Sequence, residues 1–382
     1  MQAASSFPSD KREAVSINTF MKIVIAAWHL RDFNVGLARY SQCLIEAIGR
    51  VDHENRYEIL MPEAAYRFPQ RPNFRYRVIR FPVFKRRFWE QVAPLLVGPY
   101  DLLHFPYDSG IAWKRGKFVV TVHDVKPLIF GELRRRWNLN SMLEQALVGD
   151  KWARIDHILT DSECSKRDLI GRLNVSSDCV TVAYPGVELE RFCPSQGDRS
   201  KQPSRPYVLC LAGPDPTKNV ETLIEAFAGL PHALRGSYDL ILAGDFRRRR
   251  DLREQAARLG LENQAVFTGV VSDQRLIELY QEATLFVFPS RYEGFGLPVL
   301  EAMACGCPVL SSNASSLPEV AGDAAILLDP MDVEGFTREM VRVLSDSDLR
   351  RDLRERGLAR AAQFSWDRTA RETIAVYREL LQ

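Results

Sequence analysis

No apolar run in this 382-residue sequence reaches the about eighteen residues that a bilayer-spanning helix needs. No Cys-x-x-Cys pair occurs among its seven cysteines, an odd number. Cys305-Gly-Cys307 is too tight for a zinc knuckle and lies in an apolar stretch, so reduced, buried thiols are expected rather than a disulfide framework. Charge of one sign is missing too. Lys and Arg total 51 against 49 Asp and Glu, a net +2, which argues against nucleic acid as a main partner. Arginine is dense only locally, at Arg134–Arg136 and Arg247–Arg250, where solvated helix faces outweigh a binding patch. The first twenty residues, MQAASSFPSDKREAVSINTF, lack the apolar centre of a signal peptide and read as a polar, disordered extension. There is no short-period repeat and no low-complexity segment. A cytoplasmic protein with reduced thiols is the expectation.

What the sequence has is alternation. Short β-branched apolar runs recur at 21–28, 57–62, 74–82, 101–106, 118–124, 157–162 and 180–186. A second set follows at 207–213, 238–245, 265–270, 285–290, 308–312 and 325–330. Amphipathic helical patterns, such as Leu37–Ile48, Val220–Ala228 and Arg275–Glu282, lie between many of them. Continuous apolar strands alternating with helices predict parallel sheets covered on both faces. The stretch CPSQGDRSKQPSRP (193–206), rich in Pro, Ser and charge, reads as a linker between the sets. The expected class is α/β, two Rossmann-like doubly wound domains facing across a cleft, with ligands at the C-terminal ends of the strands. The expected divisions are an extension 1–20, a first domain 21–193, a linker 194–206, a second domain 207–364 and a closing helix 365–382. That helix has an N-cap signal at Ser365 and is expected to pack back on the first domain.

The sharpest local feature is RYEGFGLPVLEAMACGCPVL (291–310), with two glutamates eight positions apart around Gly-Phe-Gly and a proline. Gly294, Gly296 and Pro298 forbid one continuous helix through both acids. Glu293 therefore belongs to the loop after the strand LFVFPS, and Glu301 to the helix that Pro298 opens. Backbone N–H groups between them, beside a helix N-terminus, favour an anion such as phosphate. A loop carboxylate can accept from sugar hydroxyls and a helix carboxylate from a ribose diol, which suits a nucleotide-sugar. The plainer alternative is a tight connection in which Glu293 is solvated and Glu301 favours the helix dipole.

Other positions invite the same chemistry. Lys218, in GPDPTKNVETLIEAF (213–227), places a cation at the start of a helix, which is unfavourable unless it faces an anion. The alternative is a solvent-exposed lysine. His123 ends the strand of VVTVHDVKPL (119–128) and His104 that of DLLHFPYD, so both are expected toward the cleft; for His104 a core role is as good a reading. Asp346-Ser-Asp348, the lone Asp-x-Asp triplet, precedes LRRDLRERG and reads as helix capping, not a metal site. FPVFKRRFWEQVAPLL (81–96) mixes aromatics with Lys85, Arg86 and Arg87; it fits a peripheral contact with anionic lipid or a surface helix with its apolar side inward.

The 291–310 stretch, with SSNASSLPEVAGDAAILLDP after it, resembles the E-x7-E signature of the retaining glycosyltransferases of family 4, which have the two-domain GT-B fold. Family-like features run from Met21 to the C-terminus. The resemblance implies that Glu293 contacts the transferred sugar and Glu301 the ribose. Gly294, Phe295, Gly296 and Leu297 would offer backbone amides to the sugar and diphosphate. It implies diphosphate binding by Lys218 in the stretch that opens at Gly213, and a place near the donor sugar for His123. NVGLARYSQCLIEAI (34–48) resembles the family's Gly-Gly-x-Gly-Arg-Tyr loop, which would bring Gly36 to the diphosphate. The sequence departs from the pattern at Val35 and Ala38, where glycines are usual, and at Pro214 and Thr217, where many members have arginine.

The resemblance thus implies a retaining, metal-independent hexosyltransferase with His123, Lys218 and Glu293 as its catalytic set. The donor would be a GDP- or UDP-linked hexose of mannose or glucose type, and the acceptor a glycan or lipid-linked hydroxyl. No further cofactor is expected, and base contacts fall near Gly269 to Val271. The alternatives are a nucleotide-sugar epimerase or sugar phosphorylase of the same fold, or a non-catalytic nucleotide-sugar-binding scaffold.

Overall fold

The computed structural model describes residues 20–31, 36–64, 66–81, 86–130, 152–195 and 205–382. The extension up to residue 19, residues 196–204 of the linker, Lys85 and Arg134–Arg136 lie outside the described residues.

Among the described residues, thirteen strands form where the apolar runs predict them. The first seven are β1 (Lys22–Ala26), β2 (Arg56–Met61), β3 (Phe74–Val78), β4 (Leu102–Phe105), β5 (Lys117–Val122), β6 (His157–Thr160) and β7 (Val180–Val182). They make one parallel sheet in the order β3-β2-β1-β4-β5-β6-β7. The other six are β8 (Tyr207–Leu211), β9 (Asp239–Ala243), β10 (Ala265–Gly269), β11 (Leu285–Phe288), β12 (Val309–Ser312) and β13 (Ile326–Leu328). They form a second parallel sheet in the order β10-β9-β8-β11-β12-β13. Most runs extend past their strands because their last residues leave the sheet to build the loops at the carboxyl ends. In the second sheet the strand order reverses between β8 and β11, so the crevice for a ligand opens between the loops that follow them.

The first helix, Gly36–Val51, extends beyond the expected Leu37–Ile48 at both ends. It buries Tyr40, Cys43, Leu44, Ala47 and Ile48, one face at helical spacing. That face meets the closing helix, Trp366–Leu381, whose Trp366, Ala370, Ile374 and Tyr377 lie in the core of the first sheet. Ser365 occupies the N-cap position, but its side chain makes no capping bond. Val187 and Phe192, within the expected first domain, pack instead in the core of the second sheet. The reason is hydrophobic: the chain crosses over after Ala183, which is still in the first core. All seven cysteines are free thiols, and Cys43, Cys210, Cys305 and Cys307 are buried.

The segment 86–96 divides into a helix, Arg86–Val92, and a 3-10 turn, Ala93–Leu96. Trp89 is inward, its indole N–H donating to the Ile79 carbonyl at 2.8 Å. Glu90 is fully buried against Arg86 at 2.6 Å. Phe88 and Leu96 are 53% and 50% exposed. Among the described residues no helix is long and apolar enough to cross a membrane.

His104 corrects the expectation of a cleft-facing group. It is 0% exposed, its Nδ1 lying 2.6 Å from the Tyr377 hydroxyl and its Nε2 2.9 Å from Thr121 Oγ1. Burial pulls its pKa down to about 3, aided by nearby His123, so the ring is neutral and ties the closing helix to β4 and β5. The side chain sits inside the sheet's cover because His104 lies within β4, one residue short of the loop. Tyr377→Phe leaves a buried ring nitrogen without its partner. The expected loss is about 1–3 kcal/mol of unfolding free energy, read by denaturant titration; an unchanged midpoint and slope would contradict the assignment.

Candidate functional site

The loops after β8 and β11 are bolted together before any side chain reaches outward. The Arg291 N–H donates to the Thr217 carbonyl at 2.8 Å. Asn219, in a left-handed conformation at φ 55°, donates through its side-chain amide to the carbonyls of Pro289 and Pro330 at 3.0 and 2.7 Å. On this frame Lys218 Nζ meets Glu293 Oε1 at 2.7 Å, and the Ser290 hydroxyl reaches the same oxygen at 2.6 Å. Lys218 also lies 5.1 Å from the centre of the Phe288 ring. The lysine and the loop glutamate that the sequence nominated separately are one ion pair, only 21% and 11% exposed at their side chains.

Between Glu293 and Leu297 the chain turns so that its carbonyls are taken. Ser316 Oγ is 3.0 Å from the Glu293 carbonyl and 2.6 Å from that of Phe295, and Ser162 Oγ donates to Gly294 at 2.6 Å. The amides of Gly294, Phe295, Gly296 and Leu297 donate to no described group. Four successive free N–H groups thus lead into the helix Leu297–Ala304, an arrangement that attracts an anion. The two glycines have separate reasons. A Cβ on Gly294 would lie 2.1 Å from the His123 carbonyl oxygen, and Gly296 has φ 120°. The Phe295 ring is a wedge in the core, 5.7 Å from Phe364, so only its backbone faces the site.

The loops after β5 and β6 close over this turn from the first domain. The register Val122↔Thr160 puts the next residues, His123 and Asp161, side by side. His123 Nδ1 is 2.6 Å from Asp161 Oδ2, and its Nε2 is 3.2 Å from the Pro106 carbonyl. With the Asp161 carboxylate and the Pro106 carbonyl both accepting, the ring donates from both nitrogens, the arrangement that favours the imidazolium. Burial pulls its pKa down, but the Asp161 carboxylate and the Pro106 carbonyl together raise it above the usual histidine value. Burial pushes Asp161 up as well, against the pull of the imidazolium; the two acceptor contacts decide for the charged pair. His123 therefore stands beside the loop, as expected, but its nitrogens are engaged within the protein. Glu319 of the second domain accepts from the N–H groups of Glu163 and Cys164 at 2.9 Å each, capping a helix of the first.

Glu301 is 6% exposed, with the Tyr280 hydroxyl 3.2 Å from Oε2 and Arg39 Nη1 3.6 Å from Oε1. Burial pushes this carboxyl up and Arg39 draws it back. Arg39 also pairs with Glu188 at 3.0 Å and lies over Phe192 at 4.6 Å. A Cβ added to Gly36, the first residue of its helix, or to Gly213, after β8, would meet nothing within 4 Å, so the protein's own packing does not require glycine at either place. Asp346 caps its helix, accepting from the N–H groups of Asp348 and Leu349 at 2.9 and 3.0 Å.

Sequence reasoning passed over three residues here. Asp161 could be found from strand pairing, since it follows β6 at the level where His123 follows β5. Arg39 belongs to the GLARY stretch already singled out for Gly36. Lys126, in VVTVHDVKPL, carries its ammonium 2.8 Å from Asp215 Oδ2 in the second domain, and no local pattern in the sequence marks it.

Residues 41–191 match the family described as Glycosyltransferase Family 4, and residues 195–360 the Glycosyl transferases group 1. O-antigen chain mannosyltransferase B of Escherichia coli is 29% identical over 94% of this chain and 100% of its own length. The D-inositol 3-phosphate glycosyltransferase of Salinispora arenicola is 34% identical over 75% of this chain and 70% of its own. The serotype-specific mannosyltransferase WbdA of Escherichia coli is 35% identical over 72% of this chain, which spans only 35% of WbdA. Among solved structures, sucrose-phosphate synthase from Thermosynechococcus elongatus superposes with a TM-score of 0.74 at 23% identity, over 94% of this chain and 99% of that one. Anabaena HepE in complex with UDP-glucose does so at 0.69 and 19%, over 94% and 100%. These structures share the fold: two Rossmann-like domains in the GT-B arrangement.

The His123–Asp161 pair has a pH signature. A histidine whose folded pKa is raised lends stability that is complete below its ordinary value of 6.5 and is lost as pH rises through the folded value. Unfolding free energy should therefore decline above about pH 6.5 in the wild type. Asp161→Asn should flatten or invert that slope. Parallel profiles in the two proteins, measured by urea unfolding across the range, would contradict the charged pair.

Proposed function

The chain belongs to the family 4 glycosyltransferases, and from that membership we propose that it transfers a hexose, of mannose or glucose type, from a nucleoside diphosphate sugar to an acceptor hydroxyl with retention, forming an α-linkage. The carrying observation is the crevice between β8 and β11. There Lys218 and Glu293 are joined at 2.7 Å beside four free amides, and Glu301 lies on the helix that follows. The names of O-antigen chain mannosyltransferase B and WbdA favour mannose, and the first of them a glycan acceptor. HepE, solved with UDP-glucose, shows what donor class a protein of this fold holds.

In this reading the diphosphate lies against the amides of Gly294–Leu297 and takes Lys218 from Glu293. Gly213 and Gly36 leave open space beside it. The freed Glu293 accepts from the sugar hydroxyls, and Glu301 exchanges Arg39 for the ribose diol. A surface cavity of about 890 Å³ at the ends of β9 and β10, lined by Phe246, Arg250, Glu254, Gly269 and Val270 among others, is the seat for the base. Cations and oriented dipoles stabilise the departing diphosphate, so this chemistry calls on no metal. Half-exposed Phe88 and Leu96, with Arg87 beside them, form the surface for peripheral contact with an anionic membrane carrying the acceptor.

Glu293→Ala and Lys218→Ala each remove a charged hydrogen bond to the donor. Transferase turnover should fall by roughly tenfold to a hundredfold or more, with circular dichroism unchanged. GDP-mannose and UDP-glucose, tested by thermal shift against ADP-glucose, identify the donor because binding raises the melting temperature by mass action. Near-normal turnover in both variants would remove the site assignment.

A further inference from the structure

Thr217, immediately before Lys218, has work that is visible in the structure. Its N–H and its hydroxyl both donate to Asp215 Oδ1, at 2.9 and 2.8 Å. This fixes Asp215 with its other oxygen turned across the cleft, where it holds the Lys126 ammonium at 2.8 Å. Lys126 comes from the first domain and its side chain is only 18% exposed. Burial pulls its pKa down, yet Glu293 and then Asp215 raise it above the usual lysine value, so the group is charged and within the field of the loop glutamate. Two ammonium groups, one from each domain, are therefore each paired with a carboxylate of this crevice, and Glu293 leads directly into the free amides. Such an arrangement is balanced while empty and offers two cations to an anion that displaces the carboxylates.

We propose that Lys126 is a ligand of the donor diphosphate, a cation supplied by the first domain opposite Lys218. The assignment rests on the nucleotide-sugar reading above. In the empty protein Asp215 stores the ammonium at the cleft; on donor binding it passes to the phosphate, which then joins the two domains. When the bond from the sugar's anomeric carbon to the diphosphate oxygen breaks, its electron pair stays on that oxygen. Lys218 and Lys126 face the charge from opposite sides, and binding is coupled to closure of the cleft.

Calorimetry on the full chain with GDP, UDP, GMP and UMP tests this. Lys126→Gln should weaken the diphosphate that the wild type binds by roughly ten- to a hundredfold, while binding of its monophosphate changes little. Lys126→Arg should restore most of the affinity. Asp215→Asn frees the ammonium and should keep or tighten diphosphate binding. Unchanged binding in Lys126→Gln overturns the proposal. So do equal losses in Lys126→Gln and Asp215→Asn on diphosphate and monophosphate alike, since that pattern belongs to a clasp between domains. A wild type that binds none of the four nucleotides removes the donor reading itself, and this assignment with it.

Discussion

The chain passes between its two cores twice, and both passages meet at one point. Going out, Ala183 belongs to the first core and Val187 to the second; coming back, Phe364 belongs to the second and Trp366 to the first. The passages are pinned together by Thr369 Oγ1 donating to the Tyr184 carbonyl at 2.6 Å and by the Val187 N–H to the Phe364 carbonyl at 3.3 Å. Gly186 is required there, because a Cβ would lie 2.0 Å from the Trp366 nitrogen. This double crossing fixes which loops confront each other. The carboxyl ends of β5 and β6 come down on the Gly-Phe-Gly turn, with Ser162 and Glu319 binding across the gap. Each sheet builds its own part of the site, Lys218–Glu293 on the second and His123–Asp161 on the first, and the crossing decides that the two parts meet.

The charges across that gap follow one rule. Four acids that line it already have a cation: Glu293 has Lys218, Asp215 has Lys126, Glu301 has Arg39 and Asp161 has His123. Leaving any of them bare in so buried a place would cost several kcal/mol. A ligand with phosphates and hydroxyls can replace these partners one for one, the phosphates taking the lysines and the hydroxyls satisfying the carboxylates. Stability without ligand and affinity for it then come from the same groups, and binding need not leave a charge unpaired.

This rule also explains what the sequence shows and hides. Most of the strands were legible because a parallel strand covered on both faces must be apolar throughout, whereas the edge strands β3 and β10 are partly exposed and carry polar residues such as Arg75, Arg77 and Thr268. The E-x7-E stretch was legible because glycine and proline forced its two acids onto different elements. His104 and His123 looked alike, each near the end of a strand, yet His104 is level with Val119, well before His123, so the first is buried against Tyr377 and the second stands beyond its strand beside Asp161. The pairings Arg39–Glu301 and Lys126–Asp215 join residues from different domains. Local pattern does not encode them; they depend on the crossing at Gly186.

The same pairings bear on where the acceptor's proton goes under the proposed transfer. A general base needs a free lone pair within reach of the attacking hydroxyl. His123 has none, since both ring nitrogens donate, to Asp161 and to Pro106. Glu293 is engaged by Lys218 and Ser290, and in the donor complex by the sugar. Glu301 lies one turn into its helix against Tyr280, placed for the ribose rather than the anomeric carbon. The group that gains basicity as the reaction proceeds is the diphosphate oxygen released from the sugar. It lies on the face from which retention requires attack, so on this reading the leaving group takes the proton and the protein's part is to hold its charge.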